Sequence, residues 1–386
     1  MIASNSSAER TLLRLSAAVL NSITPEPLPE SIPPEELIAV AKRQDMLPLL
    51  FCAVNTTSPT MQSTVWDSAR DEYFRECMRS EIQMAEFDSL SKFLCSHSVQ
   101  MIPLKGIVLK QLYPEPFLRG MSDVDFLYEG VTPEQLASLM ESRGYTTERL
   151  GLKREDIFRR APFVIIEAHR KLLWDDSPYR GCLDRLFDRA IPDSAVAGYY
   201  HLRPEDMVLH VIVHAAHHLK GGGIGIRPLT DLYVLHQAYG SALDHEYVEE
   251  ALRSVGLFRF AEKMRELSKA FFSPGEYDVP DNIIDFLFRA GAYGDVDDQS
   301  WKYYTAAGEG RTTFLTRKLF PSFTSLSGEY PILERFPVLL PFIWLYRIAD
   351  VLLRRSWSIT RILRTKISEK DRTYALSILK EFGLDS

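Results

Sequence analysis

The chain has 386 residues, 46% of them hydrophobic and 25% charged, which is the composition of a globular protein with room for two or three domains. Its formal net charge of −7 disfavours a nucleic-acid partner, because gripping a phosphate backbone requires a basic surface. Four scattered cysteines without a CxxC pair argue against a zinc ribbon and a disulfide scaffold, and they fit a reducing cytoplasm.

Residues 1–97 predict an N-terminal helical region. The polar start "MIASNSSAERTLLRL" lacks the basic and unbroken apolar segments of an export signal, so a cytoplasmic protein is expected. Helices are predicted over "AERTLLRLSAAVLNS" and over "PEELIAVAKRQDMLPLLFCAV", which Pro34 begins. From Val65 to His97 apolar residues recur at three- and four-residue spacing, which predicts one long helix or a kinked pair.

Residues 98–200 change period and predict a compact core of mixed secondary structure. "VQMIPL" is a short apolar strand, Gly106 opens the helix "IVLKQLY", and "SDVDFLYE" is a second strand. "TPEQLASLMESRGY" predicts a helix with Thr132 as its N-cap and Gly144 as its stop, and "FVIIEAH" is a third strand. The expected fold is therefore α+β, with a small mixed sheet flanked by N- and C-terminal helical segments.

Residues 201–386 predict a C-terminal helical domain. Amphipathic helices are expected over "PEDMVLHVIVHAAHHLK", "PLTDLYVLHQAYG", "EYVEEALRSVG" and "LFRFAEKMRELSKAFF". The later stretch "LYRIADVLLRRSWSITRILRTK" interleaves basic and apolar residues, and it fits either a helix packed on the domain or a surface for a membrane or an acidic partner. The apolar segment before it, "FPVLLPFIWLY", is too short to span a bilayer.

The second predicted strand carries Asp123 and Asp125 one residue apart. Alternate side chains of a strand share a face, and two carboxylates that close repel each other unless a cation lies between them. The pair is therefore either a solvated strand end or part of a magnesium site, because Mg²⁺ prefers hard oxygen ligands. Glu167, an acid inside the third strand, is the expected further carboxylate, and His169 on the same face is expected to contact the substrate or orient the carboxylate.

The turn between the first predicted strand and its helix carries Lys105 and Gly106. A glycine after a strand lets the backbone turn tightly and present its amides at a helix N-terminus, where phosphate binds well. Lys105 adds a positive charge suited to a phosphate. Such turns are common, and this one gains weight because carboxylates that suit a metal ion follow it in the chain.

The segments "LKG", "LYPEPFLRGMSDVDFL" and "VIIEAH" together resemble the nucleotidyltransferase superfamily of DNA polymerase β type. They are more closely similar to its bacterial family of uncharacterised nucleotidyltransferases, in the Lys-Gly turn, the Tyr-Pro, the arginine ahead of an Asp-x-Asp strand and a later acid-x-His strand. The resemblance extends to the histidine-rich helix and to "RKLFPSF", from about Leu47 to Arg355.

This resemblance implies a transfer of a nucleoside monophosphate from a nucleoside triphosphate to an acceptor hydroxyl. Asp123, Asp125 and Glu167 would bind two divalent ions, Mg²⁺ or Mn²⁺, and Glu167 would help to deprotonate the acceptor. Lys105 and Arg119 would counter the phosphate charge. The acidic chain favours a small-molecule or protein acceptor over a nucleic acid.

Two features keep alternatives open. The superfamily turn usually pairs its glycine with a serine that contacts the phosphates, and here Ile107 follows Gly106, so a nucleotide-binding or regulatory module without turnover is the second hypothesis. The third is a metallohydrolase, because a helical face could place a set of metal ligands together. The histidines of the predicted helix "PEDMVLHVIVHAAHHLK" could instead line the acceptor side of the cleft or pack between helices. The candidate ligands are His210, His214, His217, His218 and Asp231.

Overall fold

The computed structural model describes residues 6–57, 64–151, 154–173, 177–221, 223–275, 279–292, 316, 319–327, 330, 332–354 and 369–384. The described strands are β1 (Gln100–Pro103), β2 (Val124–Glu129), β3 (Thr146–Arg149), β4 (Glu155–Arg160), β5 (Val164–His169), β6 (Ile191–Pro192) and β7 (Tyr200–His201). The described α-helices are α1 (Ser6–Leu20), α2 (Pro34–Arg43), α3 (Leu47–Thr57), α4 (Thr64–Ser96), α5 (Lys105–Leu109), α6 (Pro133–Ser142), α7 (Pro204–Gly221), α8 (Arg227–Tyr239), α9 (His245–Ser254), α10 (Phe258–Phe272), α11 (Asp281–Ala290), α12 (Phe323–Ser327), α13 (Ile332–Arg335), α14 (Leu340–Arg354) and α15 (Glu369–Glu381).

The expected α+β fold is confirmed, with one five-stranded mixed sheet among helices. The sheet has the order β1-β2-β5-β4-β3, in which β2 and β5 run parallel and every other neighbouring pair runs antiparallel. The three predicted strands correspond to β1, β2 and β5. The predicted number of strands in the sheet was wrong, because the β3–β4 hairpin was interpreted as a charged connection. The hairpin lies at the sheet edge, where few of its residues are buried and the apolar alternation is weak.

The prediction of one continuous helix after Pro34 was also wrong, because α2 and α3 are separated at residues 44–46. Asp45 has a φ of 58°, which a helix cannot contain. The buried Gln44 holds this break in place: its Nε2 donates to the carbonyl of Leu287 at 3.1 Å, and its Oε1 accepts from the amide of Ile226 at 3.0 Å. The break thus ties the N-terminal helices to α8 and α11 through buried hydrogen bonds.

Two other helix predictions are confirmed. The apolar period after Val65 forms a single helix, α4, of 33 residues. Thr132 caps α6 and forms a capping box with Gln135, in which the backbone amide of each residue donates to the side chain of the other.

The two faces of the sheet differ in chemistry because side chains alternate along each strand. One face is apolar and packs on α4 and α6, and its fully buried residues include Val124, Phe126, Phe158, Ile166 and Ala168. The opposite face carries Asp125, Leu127, Glu167 and His169 and looks toward α7. The parallel register pairs Asp125 with Glu167 and Leu127 with His169, which sets the polar residues side by side.

The N-terminal helices share one apolar core with the helices that follow the sheet. Leu12 of α1, Leu50 of α3, Leu229 of α8 and Phe260 of α10 are all fully buried in this cluster. α1 contacts both α10 and α11. The three-part division at residues 97 and 200 stays a prediction, and the first and third parts pack on each other.

The basic stretch near the C-terminus is described only in part. α14 covers its beginning, whereas residues 355–368 lie outside the described residues. None of the helices in the described part of the chain has both the length and the apolar character that crossing a bilayer requires.

Candidate active site

A cavity of about 940 Å³ opens between the polar face of the sheet and α7. This volume lies at the upper end of the range of about 300–1,000 Å³ that is typical of ligand pockets. The cavity receives side chains from the β1–α5 turn, the start of β2, the end of β5 and the α7 helix. All the residues that the sequence nominated line it: Lys105, Gly106, Arg119, Asp123, Asp125, Glu167 and His169.

Asp125, Glu167 and His169 form the one group in the described ranges whose potential metal-ligand atoms all lie within 4.8 Å of one another. The Nε2 atom of His169 lies 2.7 Å from Oδ1 of Asp125 and 3.9 Å from Oε2 of Glu167. The group arises from the parallel pairing of β2 and β5, because Asp125 is in register with Glu167 and His169 follows two residues later on the same face. A carboxylate pair and an imidazole at these separations can chelate a divalent ion.

Asp123 lies at the edge of this arrangement. β2 begins at Val124, so Asp123 lies directly before the strand. Its Oδ1 accepts a hydrogen bond from Oγ of Ser122 at 2.9 Å, and it lines the cavity outside the group of three. The carboxylate is close enough for its charge to act on Glu167.

The two carboxylates of the group have opposite pKa shifts. Burial opposes the ionisation of Asp125, but the charge of Lys105 and the hydrogen bond with His169 outweigh it and hold the pKa of Asp125 well below its usual range. Burial raises the pKa of Glu167, and the charges of Asp125 and Asp123 raise it further. Asp125 is therefore a permanent anion, whereas Glu167 binds a proton more readily than an ordinary glutamate.

Lys105 brings a positive charge to this site from a strained backbone. Its Nζ lies 3.8 Å from Oδ2 of Asp125. Its φ of 38° falls in the left-handed region, which residues with a side chain seldom occupy and which is often found at functional sites. The conformation places Lys105 at the start of α5, directly after β1, on the wall of the cavity.

Gly106 is required at this turn for a packing reason. A Cβ atom at this position would lie 2.6 Å from Sδ of Met121 and 2.9 Å from Nη1 of Arg119, so any larger residue would displace these two side chains. The next side chain, Ile107, is buried in the apolar cluster on the other face of the sheet. Position 107 therefore contributes to packing in this chain, whereas the superfamily that the chain resembles usually has a serine there that contacts the phosphates.

Arg119 lines the cavity, but its charge is compensated inside the protein. Its Nε and Nη2 donate to the two carboxylate oxygens of Asp231 at 2.7 and 2.8 Å, and Tyr113 donates to the same carboxylate at 2.9 Å. All three side chains are buried. The pairing favours a role for Arg119 in holding β2 against α8 over the expected phosphate contact, and it removes Asp231 from the candidate metal ligands of the histidine helix.

The four histidines of α7 line the wall opposite the carboxylates. Nε2 of His214 and Nε2 of His218 are 3.1 Å apart, and His210 is 5% exposed. Burial and the positive charge of Lys105 lower the pKa of His210 to about 3, so His210 is neutral near pH 7. No α7 histidine belongs to the ligand group found in the described residues, and the arrangement favours a cleft wall over a second metal centre.

Arg154 is a cavity residue that the sequence reasoning missed. It precedes β4, its Nη1 donates to the carbonyl of Leu172, and the charges of Glu155, Glu167 and Asp125 act on it. Burial is the larger effect and lowers its pKa below the ordinary value for arginine. Only the recognition of the β3–β4 hairpin could have revealed it, because the hairpin carries Arg154 to the sheet edge beside the carboxylates.

Comparison with known proteins adds one match. The family model described as "Uncharacterised nucleotidyltransferase" matches residues 30–273, which run from just before α2 to just after α10 and include every residue of the carboxylate and histidine group. The matched segment starts before Leu47 and ends before "RKLFPSF", so it is displaced from the range that the motifs indicated. No curated protein and no solved structure is significantly similar to the chain.

Proposed function

Because the chain belongs to this family of uncharacterised nucleotidyltransferases, we propose that it moves a nucleoside monophosphate from a nucleoside triphosphate to an acceptor hydroxyl. The observation that carries the proposal is the convergence of Asp125, Glu167 and His169 within 4.8 Å in the wall of a cavity that Lys105 also lines. In this reaction the acceptor oxygen bonds to the α-phosphorus, the bond to pyrophosphate breaks, and the acceptor proton passes to a base.

The residues present fit a divalent ion, Mg²⁺ or Mn²⁺. Asp125 is buried and ionised, Glu167 lies beside it in the sheet, and the spacing of their ligand atoms matches a chelating group. A bound ion would neutralise phosphate oxygens and stabilise the charge that develops on them during transfer. Asp123, at the rim of the group, is the proposed further ligand for a second ion.

Each remaining polar residue has a proposed role that its position supports. Glu167 is the base for the acceptor proton, because burial and its anionic neighbours raise its pKa above that of an ordinary glutamate. Lys105 faces the phosphates from the β1–α5 turn, and Arg154 adds a second cation that faces the same carboxylates. Arg119 acts indirectly, by fixing the segment before β2 through Asp231.

The proposed acceptor side is the α7 wall. Its His210 is neutral near pH 7 and can donate or accept hydrogen bonds, and Leu172, Tyr179 and Leu183 add apolar surface to the same cavity. A recessed pocket of this composition suits a small molecule or a side chain of a protein. The net charge of −7 supports neither RNA nor DNA as the acceptor.

Calorimetric titration of the full chain with ATP, CTP, GTP and UTP, with and without Mg²⁺ or Mn²⁺, tests nucleotide use. We expect metal-dependent binding of at least one triphosphate, and release of pyrophosphate when a library of hydroxyl compounds is added. Absence of metal-dependent binding to all four would refute the proposal.

The second candidate is a nucleotide-binding module without turnover, which the buried Ile107 favours. It predicts metal-dependent binding but no pyrophosphate release with any acceptor. Pyrophosphate release with any acceptor separates the two candidates, because only the transferase produces it. We place either activity in the cytoplasm, where nucleoside triphosphates are available.

A further inference from the structure

His169, rather than the expected Asp123, completes the group of three potential metal ligands. Its Nε2 lies 2.7 Å from Oδ1 of Asp125 and 3.9 Å from Oε2 of Glu167, whereas Asp123 is not in the group. Ligand atoms that are neighbours on an octahedral ion with bonds of about 2.1 Å are about 3 Å apart, and the two observed separations lie on either side of this value. The imidazole nitrogen is thus as well placed for an ion as the carboxylates are.

We propose that His169 is a direct ligand of the metal centre and that the centre therefore selects a divalent first-row transition ion, such as Mn²⁺, over Mg²⁺. This inference rests on the proposed function for the presence of a metal centre and extends it to the identity of the ion. It assigns His169 a role different from the contact to substrate or the orientation of a carboxylate that the sequence suggested.

The contacts of His169 support ligation. The side chain is 5% exposed, and its Nε2 atom lies against Oδ1 of Asp125, another atom of the ligand group. A proton shared between Nε2 and Oδ1 lies between two ligand atoms, and a cation that binds both atoms replaces it.

The chemistry of the donor set determines the selectivity. Magnesium prefers oxygen ligands, whereas divalent ions of the first transition row also bind imidazole, and Mn²⁺ binds it least strongly among them. Exchanging a third carboxylate for an imidazole also removes a negative charge from the site, while Lys105 stays 3.8 Å from Asp125 and opposes any cation. Mg²⁺ binds mainly through charge, so it loses more from this exchange than an ion that forms a stronger bond to nitrogen.

The full chain without nucleotide is the material for the test. Titration calorimetry with MnCl₂ and with MgCl₂ is expected to give an Mn²⁺ affinity at least about tenfold higher. Electron spin-echo spectroscopy of the Mn²⁺ form is expected to show modulation from ¹⁴N, which uniform ¹⁵N labelling replaces with the ¹⁵N pattern. Equal affinities for the two ions, or an Mn²⁺ spectrum without nitrogen modulation, would overturn the inference.

Two variants locate the nitrogen. His169→Asp should remove the modulation and reduce the preference for Mn²⁺ by about tenfold. His210→Asn is the matched control, because His210 is a buried histidine in the same cavity outside the ligand group, and it should keep both. If His210→Asn loses the modulation and His169→Asp keeps it, the assignment to His169 is wrong. If His169→Asp does not fold, the wild-type spectrum still decides whether nitrogen binds the ion.

Failure of this inference can be told apart from failure of the proposed function. Nucleotide transfer that proceeds equally with Mg²⁺ and Mn²⁺, with no nitrogen on the ion, refutes the role of His169 alone. Nitrogen bound to Mn²⁺ in a protein that neither binds nor turns over any triphosphate refutes the transferase and leaves the metal centre.

Discussion

Strands β2 and β5 carry apolar side chains on one face and charged side chains on the other, and the two faces have opposite effects on stability. On one face Phe126 and Ile166 are fully buried against apolar neighbours, and on the other Asp125 and Glu167 crowd two carboxylates beside an imidazole. Burying apolar surface stabilises the fold, whereas holding anions together opposes it. The apolar face therefore stabilises a sheet whose other face is arranged for chemistry at a cost in stability.

The largest expected effect is a loss of transfer activity when the polar face of the sheet is changed. Asp125→Asn should lower the rate of nucleotide transfer at least about 10³-fold, equivalent to about 4 kcal/mol of transition-state stabilisation, because a charged ligand of the proposed ion is lost. Steady-state pyrophosphate release measures the rate. Urea unfolding of the metal-free protein should also show a loss of stability, since the fold stabilises the Asp125 anion through Lys105 and His169.

The control for this prediction is an aspartate on the other side of the sheet. Asp156 is fully buried in β4, where it accepts hydrogen bonds from Tyr128 at 2.8 Å and from the amide of Gly151 at 2.7 Å. Asp156→Asn should lower the free energy of unfolding by about 1–3 kcal/mol and leave turnover of the folded protein unchanged. The contrast between the faces breaks down if Asp156→Asn abolishes turnover as Asp125→Asn does.

Phe126→Ala should destabilise the protein by about 3–4 kcal/mol, because it leaves a cavity where a fully buried ring packs near Phe87 of α4. Urea denaturation followed by circular dichroism measures the loss. At a temperature where the variant is folded, its affinity for nucleotide should equal that of the wild type. A loss of affinity without a loss of stability would contradict the assignment of this face to packing.

A smaller effect concerns pH and the helix opposite the carboxylates. Burial and Lys105 lower the pKa of His210 from an ordinary 6.5 to about 3, so the unfolded chain binds a proton that the folded chain does not. The stability from neutral His210 is complete above pH 6.5 and declines as the pH falls toward 3. His210→Asn should therefore show a shallower loss of stability on acidification, by about 1–2 kcal/mol at pH 5.

The measurement for this prediction is urea unfolding at pH 8 and pH 5 for both proteins. His201→Asn serves as the control, since His201 is exposed and pairs with Asp193 at the surface. If the free energy of unfolding falls equally with pH in the wild type and in His210→Asn, protonation of His210 does not cause the loss of stability in acid.

The smallest expected effect is at the strained turn. Lys105→Gly should be more stable than Lys105→Met by about 1 kcal/mol or less, because glycine accepts a φ of 38° without strain, and it should weaken triphosphate binding because a charge is lost. Lys105→Met removes the charge and keeps the side-chain bulk, so it should weaken binding without the gain in stability. Thermal unfolding and calorimetry distinguish the two variants, and equal stabilities would argue that the turn is not strained.

Local patterns explain most of what could be predicted. The alternation around Phe126 and Ile166 indicated two of the central strands, and the capping residues around Thr132 indicated α6. The β3–β4 hairpin was missed because charged residues at a sheet edge give little alternation. The break at Gln44 was missed because its hydrogen-bond partners lie in α8 and α11, far away in sequence.

For the candidate site, the sequence by itself supplied the residue types: acids inside or next to apolar strands, a lysine at a strand-to-helix turn and a histidine two residues after Glu167. Only the tertiary structure decided which of them meet. The parallel register of β2 and β5 brings Asp125, Glu167 and His169 together and leaves Asp123 at the rim. The packing of α8 pairs Arg119 with Asp231. Spacing along one strand determines which side a residue faces, but distances between ligand atoms depend on strand pairing, which is set by contacts distant in sequence.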